Sequence, residues 1–199
     1  MHEPAKPSGD GLAITHGAGG DCNAALLKAV ADAFTDAGLW VLRFNLPYRQ
    51  ARPHGSPSPA QAARDREGIQ RAVDALREIA GQRMFLSGHS YGGRQATMLA
   101  AENPAVADAM LLLSYPLHPP GKPQQLRTAH FPELRIPGLF MHGTRDAFGS
   151  IEEMQEALRA IPAPTELVAI ERGRHGLPPA IAASLPSKFF EFVNRTNRR

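Results

Sequence analysis

Met84-Phe85-Leu86-Ser87-Gly88-His89-Ser90-Tyr91-Gly92-Gly93 is the stretch on which the fold is read. A short apolar run, residues 84–86, gives way to a segment of helix formers at 95–101. The join is Gly88-His89-Ser90-Tyr91-Gly92, a Gly-x-Ser-x-Gly pattern. A strand that turns straight into a helix strains its central residue and crowds the positions two residues to either side. Those positions therefore need to lack a Cβ. The Ser90 hydroxyl then stands above the sheet at a helix N-terminus, where free N–H groups favour negative charge. In a chain with 18 glycines the pattern alone is weak. What strengthens it is a strand before, a helix after, and candidate partners downstream.

Upstream, residues 11–15 read as a buried strand ending in His16-Gly17-Ala18-Gly19-Gly20. A helical stripe of Leu26, Leu27, Val30, Ala33 and Phe34 predicts a helix over 23–37, with Asp21 as N-cap and Gly38 as stop. A second strand at 39–44 breaks at Asn45-Leu46-Pro47-Tyr48, and a loop follows to Ser58. Ser58-Pro59-Ala60-Gln61 opens a helix that runs to about Ala80.

Downstream, 108–113 is a fourth strand and 115–137 a loop or minimal lid. The fifth strand, 138–141, leads into His142-Gly143-Thr144-Arg145-Asp146. Ser150 to Glu153 is a capping-box start for a helix to about Ala160. A sixth strand at 167–170 is followed by Gly173-Arg174-His175-Gly176, then by a last helix with Phe189, Phe192 and Val193 on its inner face. Residues 1–9 read as a flexible N-terminal arm. Apolar strands alternating with helices argue for a parallel sheet covered on both faces. Ligands of such sheets lie beyond the carboxyl ends of the strands. The polar clusters at 16–20, 45–48, 88–92, 142–146 and 173–176 all fall there.

The 199 residues suit a single domain, 1–199, and 43% apolar with 21% charged residues is ordinary globular composition. The net charge of +3 is modest, and Arg195, Arg198 and Arg199 of the tail carry part of it, which is no nucleic-acid footprint. Cys22 is the only cysteine, so no intrachain disulfide forms and a reducing compartment is expected. No apolar run approaches the roughly 18 residues of a membrane helix, and the N-terminus lacks signal-peptide order. A cytoplasmic protein without nucleic-acid or membrane partners is the expectation. The histidines lack metal-ligand spacing, and the 16–20 loop matches neither G-x-G-x-x-G nor G-x-x-x-x-G-K-[ST], so neither metal nor cofactor is expected.

A serine hydroxyl needs a base to take its proton, and a histidine base works best when a buried carboxylate fixes its tautomer. In chain order the candidates are Ser90, then Asp146 after the fifth strand, then His175 after the sixth. The N–H groups of Tyr91 and Ala18 are candidates for an oxyanion hole. His118, His130 and His142 are rival bases, ranked lower because none follows the sixth strand. His89 is expected to pack or bond locally. Asp146 as a turn carboxylate beside Arg145, and His175 as an exposed loop residue, remain the bland alternatives. Candidate pocket residues are His16, Leu46, Tyr48, His89, Tyr115, Leu117 and Phe148. Arg49, Arg52 and Arg127 either favour an acidic acyl group or are solvated loop arginines.

The blocks at 16–20, 42–48, 88–93, 115–122, 127–130 and 142–149 resemble the small bacterial α/β-hydrolases. In particular they are similar to the dienelactone-hydrolase-like group that includes NSL-complex subunit 3 and testis-expressed homologues of animals, over about residues 11–193. The resemblance implies an α/β-hydrolase core with Ser90, Asp146 and His175 as triad. Because the first strand begins near residue 11, the two leading antiparallel strands of the full hydrolase sheet are expected to be absent. The expected fold is thus a minimal six-stranded parallel sheet, order 2-1-3-4-5-6, with helices on both faces and little or no cap domain. Dienelactone hydrolase proper uses a cysteine nucleophile, so its substrate is not carried over to a chain with Ser90. The implied activity is a carboxylesterase-like serine hydrolase acting on a small ester, thioester or related acyl substrate through an acyl-enzyme. The alternatives are a non-catalytic binding or scaffold module and an acyltransferase using the same residues. The sequence does not give the oligomeric state.

Overall fold

The computed structural model describes residues 1–196; Arg198 and Arg199 of the basic tail lie outside the described residues. Six strands form one sheet: β1 (Gly11–Thr15), β2 (Trp40–Phe44), β3 (Met84–His89), β4 (Ala109–Leu113), β5 (Gly138–Gly143) and β6 (Thr165–Ile170). Every pairing is parallel and the order is β2-β1-β3-β4-β5-β6, as expected. The helices are α1 (Ala25–Asp36), α2 (Pro47–Ala51), α3 (Ala62–Ala80), α4 (Tyr91–Glu102), α5 (Ile151–Leu158) and α6 (Leu185–Thr196).

Central strands read as unbroken apolar runs because both of their faces are covered. The period of two still sorts the side chains. Leu86, Leu112 and Phe140 pack beneath α3, α4 and α5 with Ile69, Val73, Leu76 and Met154. Their neighbours Phe85, Leu111 and Leu139 face α1 and α6 with Leu27, Val30 and Phe34. On that side Phe85, Phe34 and Phe189 meet edge to face, with centroids 5.1 Å and 5.8 Å apart, the arrangement aromatic quadrupoles prefer.

Local signals hold at several ends. Ser150 Oγ accepts the Glu153 N–H (3.1 Å), and Glu153 Oε2 accepts the Ser150 N–H (2.7 Å), closing a reciprocal box at α5. Gly81 ends α3 at φ 71°, a left-handed conformation that suits a residue without Cβ. Three expectations need correction. Asp21 does not cap α1: its Oδ1 takes the Asn23 N–H at 2.7 Å in a local turn, and the helix starts later, behind Ala24. The expected loop after β2 contains α2, a five-residue helix with Pro47 at its first position. Residues 1–9 are not a loose arm. His2 exchanges backbone hydrogen bonds with Val41 (2.8 and 3.1 Å), and Ser8 N–H donates to Gly38 O (2.8 Å), so the segment lies along the open edge of β2. Residues 115–137 form no separate cap; Tyr115, Leu117, Phe131 and Leu134 peg them into the core.

Candidate active site

The site is built on the corner between β3 and α4. Ser90 sits there at φ 50°, ψ −116°, a region costly for any residue with a Cβ. A Cβ at Gly88 would lie 2.4 Å from the Gly93 nitrogen, and one at Gly92 would lie 2.5 Å from the His16 carbonyl oxygen. Only glycine lets strand, helix and neighbouring loop approach this closely, which is the reason for the spacing in the sequence. The Ser90 N–H is fixed to Leu113 O at 2.9 Å.

The other two residues arrive from the ends of β5 and β6, whose loops are joined by a 2.8 Å bond from the Arg145 N–H to Gly173 O. His175 Nε2 lies 2.7 Å from Ser90 Oγ. His175 Nδ1 lies 2.8 Å from Asp146 Oδ2 and 3.0 Å from Oδ1. The Asp146 side chain is fully buried, whereas that of His175 keeps 22% exposure. Asp146 Oδ1 also accepts the Phe148 N–H at 2.8 Å, and the Phe148 ring stacks on the His175 ring at 4.0 Å. With the carboxylate on Nδ1, the imidazole carries its proton there and turns a lone pair on Nε2 toward the serine hydroxyl.

His89, within the corner itself, makes a distant contact. Burial pushes its pKa down, so it is neutral, and its Nε2–H donates to the His175 carbonyl at 3.0 Å. The loop after β1 is held with equal care. His16 is buried, its pKa lowered mainly by that burial; it donates from Nδ1 to Gly17 O (2.9 Å) and accepts the Leu46 N–H at Nε2 (3.1 Å). The Ala18 carbonyl takes Tyr48 Oη–H and Arg49 Nη2, both at 2.9 Å. Buried Asp65 accepts Tyr91 Oη–H (2.8 Å) and the Tyr48 N–H (3.0 Å), tying α3 to α2 and α4. Burial first, then the Asp65 carboxylate, pushes the Tyr91 phenol well up, so it stays a donor. The backbone N–H groups of Ala18 and Tyr91 donate to no acceptor among the described residues.

Above these groups opens a cleft of about 960 Å³. Of the seven expected pocket residues, His89 and Phe148 border it. His16, Leu46, Tyr48, Tyr115 and Leu117 do not: they are buried in the layer beneath and hold the loops that form the walls. Arg127 borders the cleft, but Arg49 is consumed by the carbonyls of Ala18, Gly20, Pro53 and Gly55, and Arg52 bonds Gln61 on the surface. The sequence reading missed Arg94 and Met98, which line the cleft along one stripe of α4. Their signal was present, since they follow Ser90 at four and eight residues, one helical face. The rival histidines bond elsewhere, although His142 Nε2 also lies 3.8 Å from Asp146 Oδ2. His142 bonds Gly149 O (2.8 Å), His118 faces Glu153 (3.3 Å), and His130 bonds Thr97 Oγ1 (2.9 Å). Among the described residues no group of three or more His, Cys, Asp or Glu is arranged to hold a metal ion.

Solved structures share this architecture. A dienelactone hydrolase from Anabaena variabilis superposes with a TM-score of 0.73 at 21% identity, over 98% of this chain and 89% of that one. Est1E from Butyrivibrio proteoclasticus, solved with ferulic acid bound, gives 0.75 at 16% identity over 93% and 90%. An α/β serine hydrolase without lid from Xanthomonas campestris gives 0.73 at 17% identity over 98% and 86%. At these identities the likeness speaks for the fold alone. Residues 9–187 match the sequence model of the alpha/beta hydrolase domain, nearly the whole of the chain, and the protein therefore belongs to that family.

Proposed function

We propose that the protein is a serine hydrolase that cleaves a small ester, thioester or related acyl compound through an acyl-enzyme. The observation that carries the reading is the continuous chain of hydrogen bonds from Ser90 Oγ through His175 to Asp146, at 2.7 Å and 2.8 Å, opening on the cleft. Ser90 Oγ attacks the substrate carbonyl while its proton passes to His175 Nε2, and the buried Asp146 carboxylate stabilises the imidazolium. The tetrahedral oxyanion accepts from the N–H groups of Tyr91 and Ala18; such donors contribute about 3–4 kcal/mol each. Collapse of the intermediate expels the alcohol or thiol, which takes the proton from Nε2. Water then gives a proton to Nε2 and attacks the acyl-serine, and the carboxylic product leaves as Ser90 recovers its hydrogen.

Among the described residues no separate cap covers the cleft, which favours small substrates, and the names of two neighbouring structures, a dienelactone hydrolase and a lidless α/β serine hydrolase, support the reaction class. A single cysteine fits a cytoplasmic setting, and no described helix is long and apolar enough to cross a membrane. A fluorophosphonate probe tests the proposal: wild type is labelled and Ser90→Ala is not. A well-folded wild type that stays unlabelled refutes it and leaves a scaffold module.

A further inference from the structure

Among the described residues three guanidinium groups border the cleft, and no carboxylate does. Arg66 is already compensated: its Nε lies 2.9 Å from Glu102 Oε2 and its Nη1 lies 3.3 Å from Gln95 Oε1. Arg94 and Arg127 differ. Among the described residues neither makes an ion pair. Arg94 Nε is buried with no hydrogen-bond partner, and so is Nε2 of the adjacent, fully buried Gln95. The side chain of Arg127 reaches only the Pro116 carbonyl, at 3.5 Å.

These two charges feel one another. Burial and then the charge of Arg94 both make Arg127 a weaker base than usual. Burial, followed by Arg94 and Arg66, pushes the pKa of nearby His130 down to about 4. Half-buried like charges beside unmet donors are unfavourable unless an anion joins them, and a guanidinium fork matches the two oxygens of a carboxylate. The position is suited to a substrate. Arg94 follows Ser90 by one helical turn, about 6 Å along the axis of α4, on the stripe that faces the cleft.

We infer that the natural substrate carries a carboxylate about one helical turn from its scissile carbonyl, bound between Arg94 and Arg127. This deepens the hydrolase reading and rests on it. Two matched pairs of esters test it: mono-4-nitrophenyl adipate against 4-nitrophenyl hexanoate, and 4-acetoxybenzoate against its methyl ester. In at least one pair wild type prefers the charged member by about 10–100-fold in kcat/KM, the range expected of charge-assisted hydrogen bonds. Arg94→Gln brings that ratio near parity, and Arg94→Lys keeps part of it. Equal kcat/KM values within both pairs, or a preference that Arg94→Gln leaves intact, overturn the inference while the hydrolase reading stands. If every ester and the fluorophosphonate probe fail to react, the hydrolase reading falls and the inference with it.

Discussion

Replacing Asp146 by asparagine removes a charge and almost no volume, and the structure says which way the new amide must face. Asp146 Oδ1 accepts the Phe148 N–H at 2.8 Å, so an oxygen has to remain at that position. The amide nitrogen is thereby directed to the Oδ2 position, 2.8 Å from His175 Nδ1. There it donates toward Nδ1, and only the longer 3.0 Å contact from Nδ1 to Oδ1 is left to hold the original tautomer, so the imidazole proton shifts toward Nε2, 2.7 Å from Ser90 Oγ. A base that already carries a proton on that nitrogen cannot take the serine's. The opposite flip sets the amide nitrogen against the Phe148 N–H, a buried donor–donor clash costing about 1–3 kcal/mol. With the tautomer wrong and the imidazolium unsupported, kcat should fall by about 10⁴, or roughly 5 kcal/mol of transition-state stabilisation. The assay is turnover of a 4-nitrophenyl ester together with the rate of fluorophosphonate labelling, with thermal unfolding as a control on the fold. A folded Asp146→Asn protein that keeps a tenth or more of the wild-type rate on both readouts refutes the reasoning.

Three further outcomes follow from the packing and from half-buried His130. Gly88→Ala sets a methyl 2.4 Å from backbone nitrogen that cannot yield, so it should cost about 3 kcal/mol or more, roughly 6–12 °C in Tm. Gly19→Ala, where nothing lies within 4 Å, should stay within about 0.5 kcal/mol of wild type, both variants being measured by urea titration. His130 binds its proton near pH 4 when folded, against 6.5 for its ordinary value. The unfolded chain therefore gains protons first, and stability present above pH 6.5 is lost as pH falls toward 4. His130→Gln, which can still donate to Thr97, should flatten the pH dependence of the urea midpoint; an unchanged slope assigns the acid sensitivity to other groups.

The glycines at 88 and 92 made the corner legible, because backbone crowding leaves a mark in residue type. Strand order followed from the family resemblance, whereas the strands themselves were legible because β3, β4 and β5 are buried on both sides and carry apolar runs at 84–86, 109–113 and 139–141. β6, half-buried at the sheet edge, shows less, and only its last residues stood out. Helix α2 escaped because five residues are too few to display a period. The pocket wall was misread because closeness to a strand end does not say which way a side chain points. Tyr48 and Tyr115 turn inward, while Arg94, on a helix read mainly for its serine, turns into the cleft. Arg49 looked like a loop cation and proved to be a tie between carbonyls.

The bond from His89 to the carbonyl of His175 spans 86 residues of chain. It makes the borders of the cleft unequal. The corner that carries Ser90 and the loop that carries His175 are joined there, in addition to the 2.7 Å contact between their side chains. Elsewhere the cleft is bordered by proline-bearing segments, around Pro57, Pro59 and Pro116. Substitutions there can reshape what the cleft accepts while the contact between Ser90 and His175 stays in place.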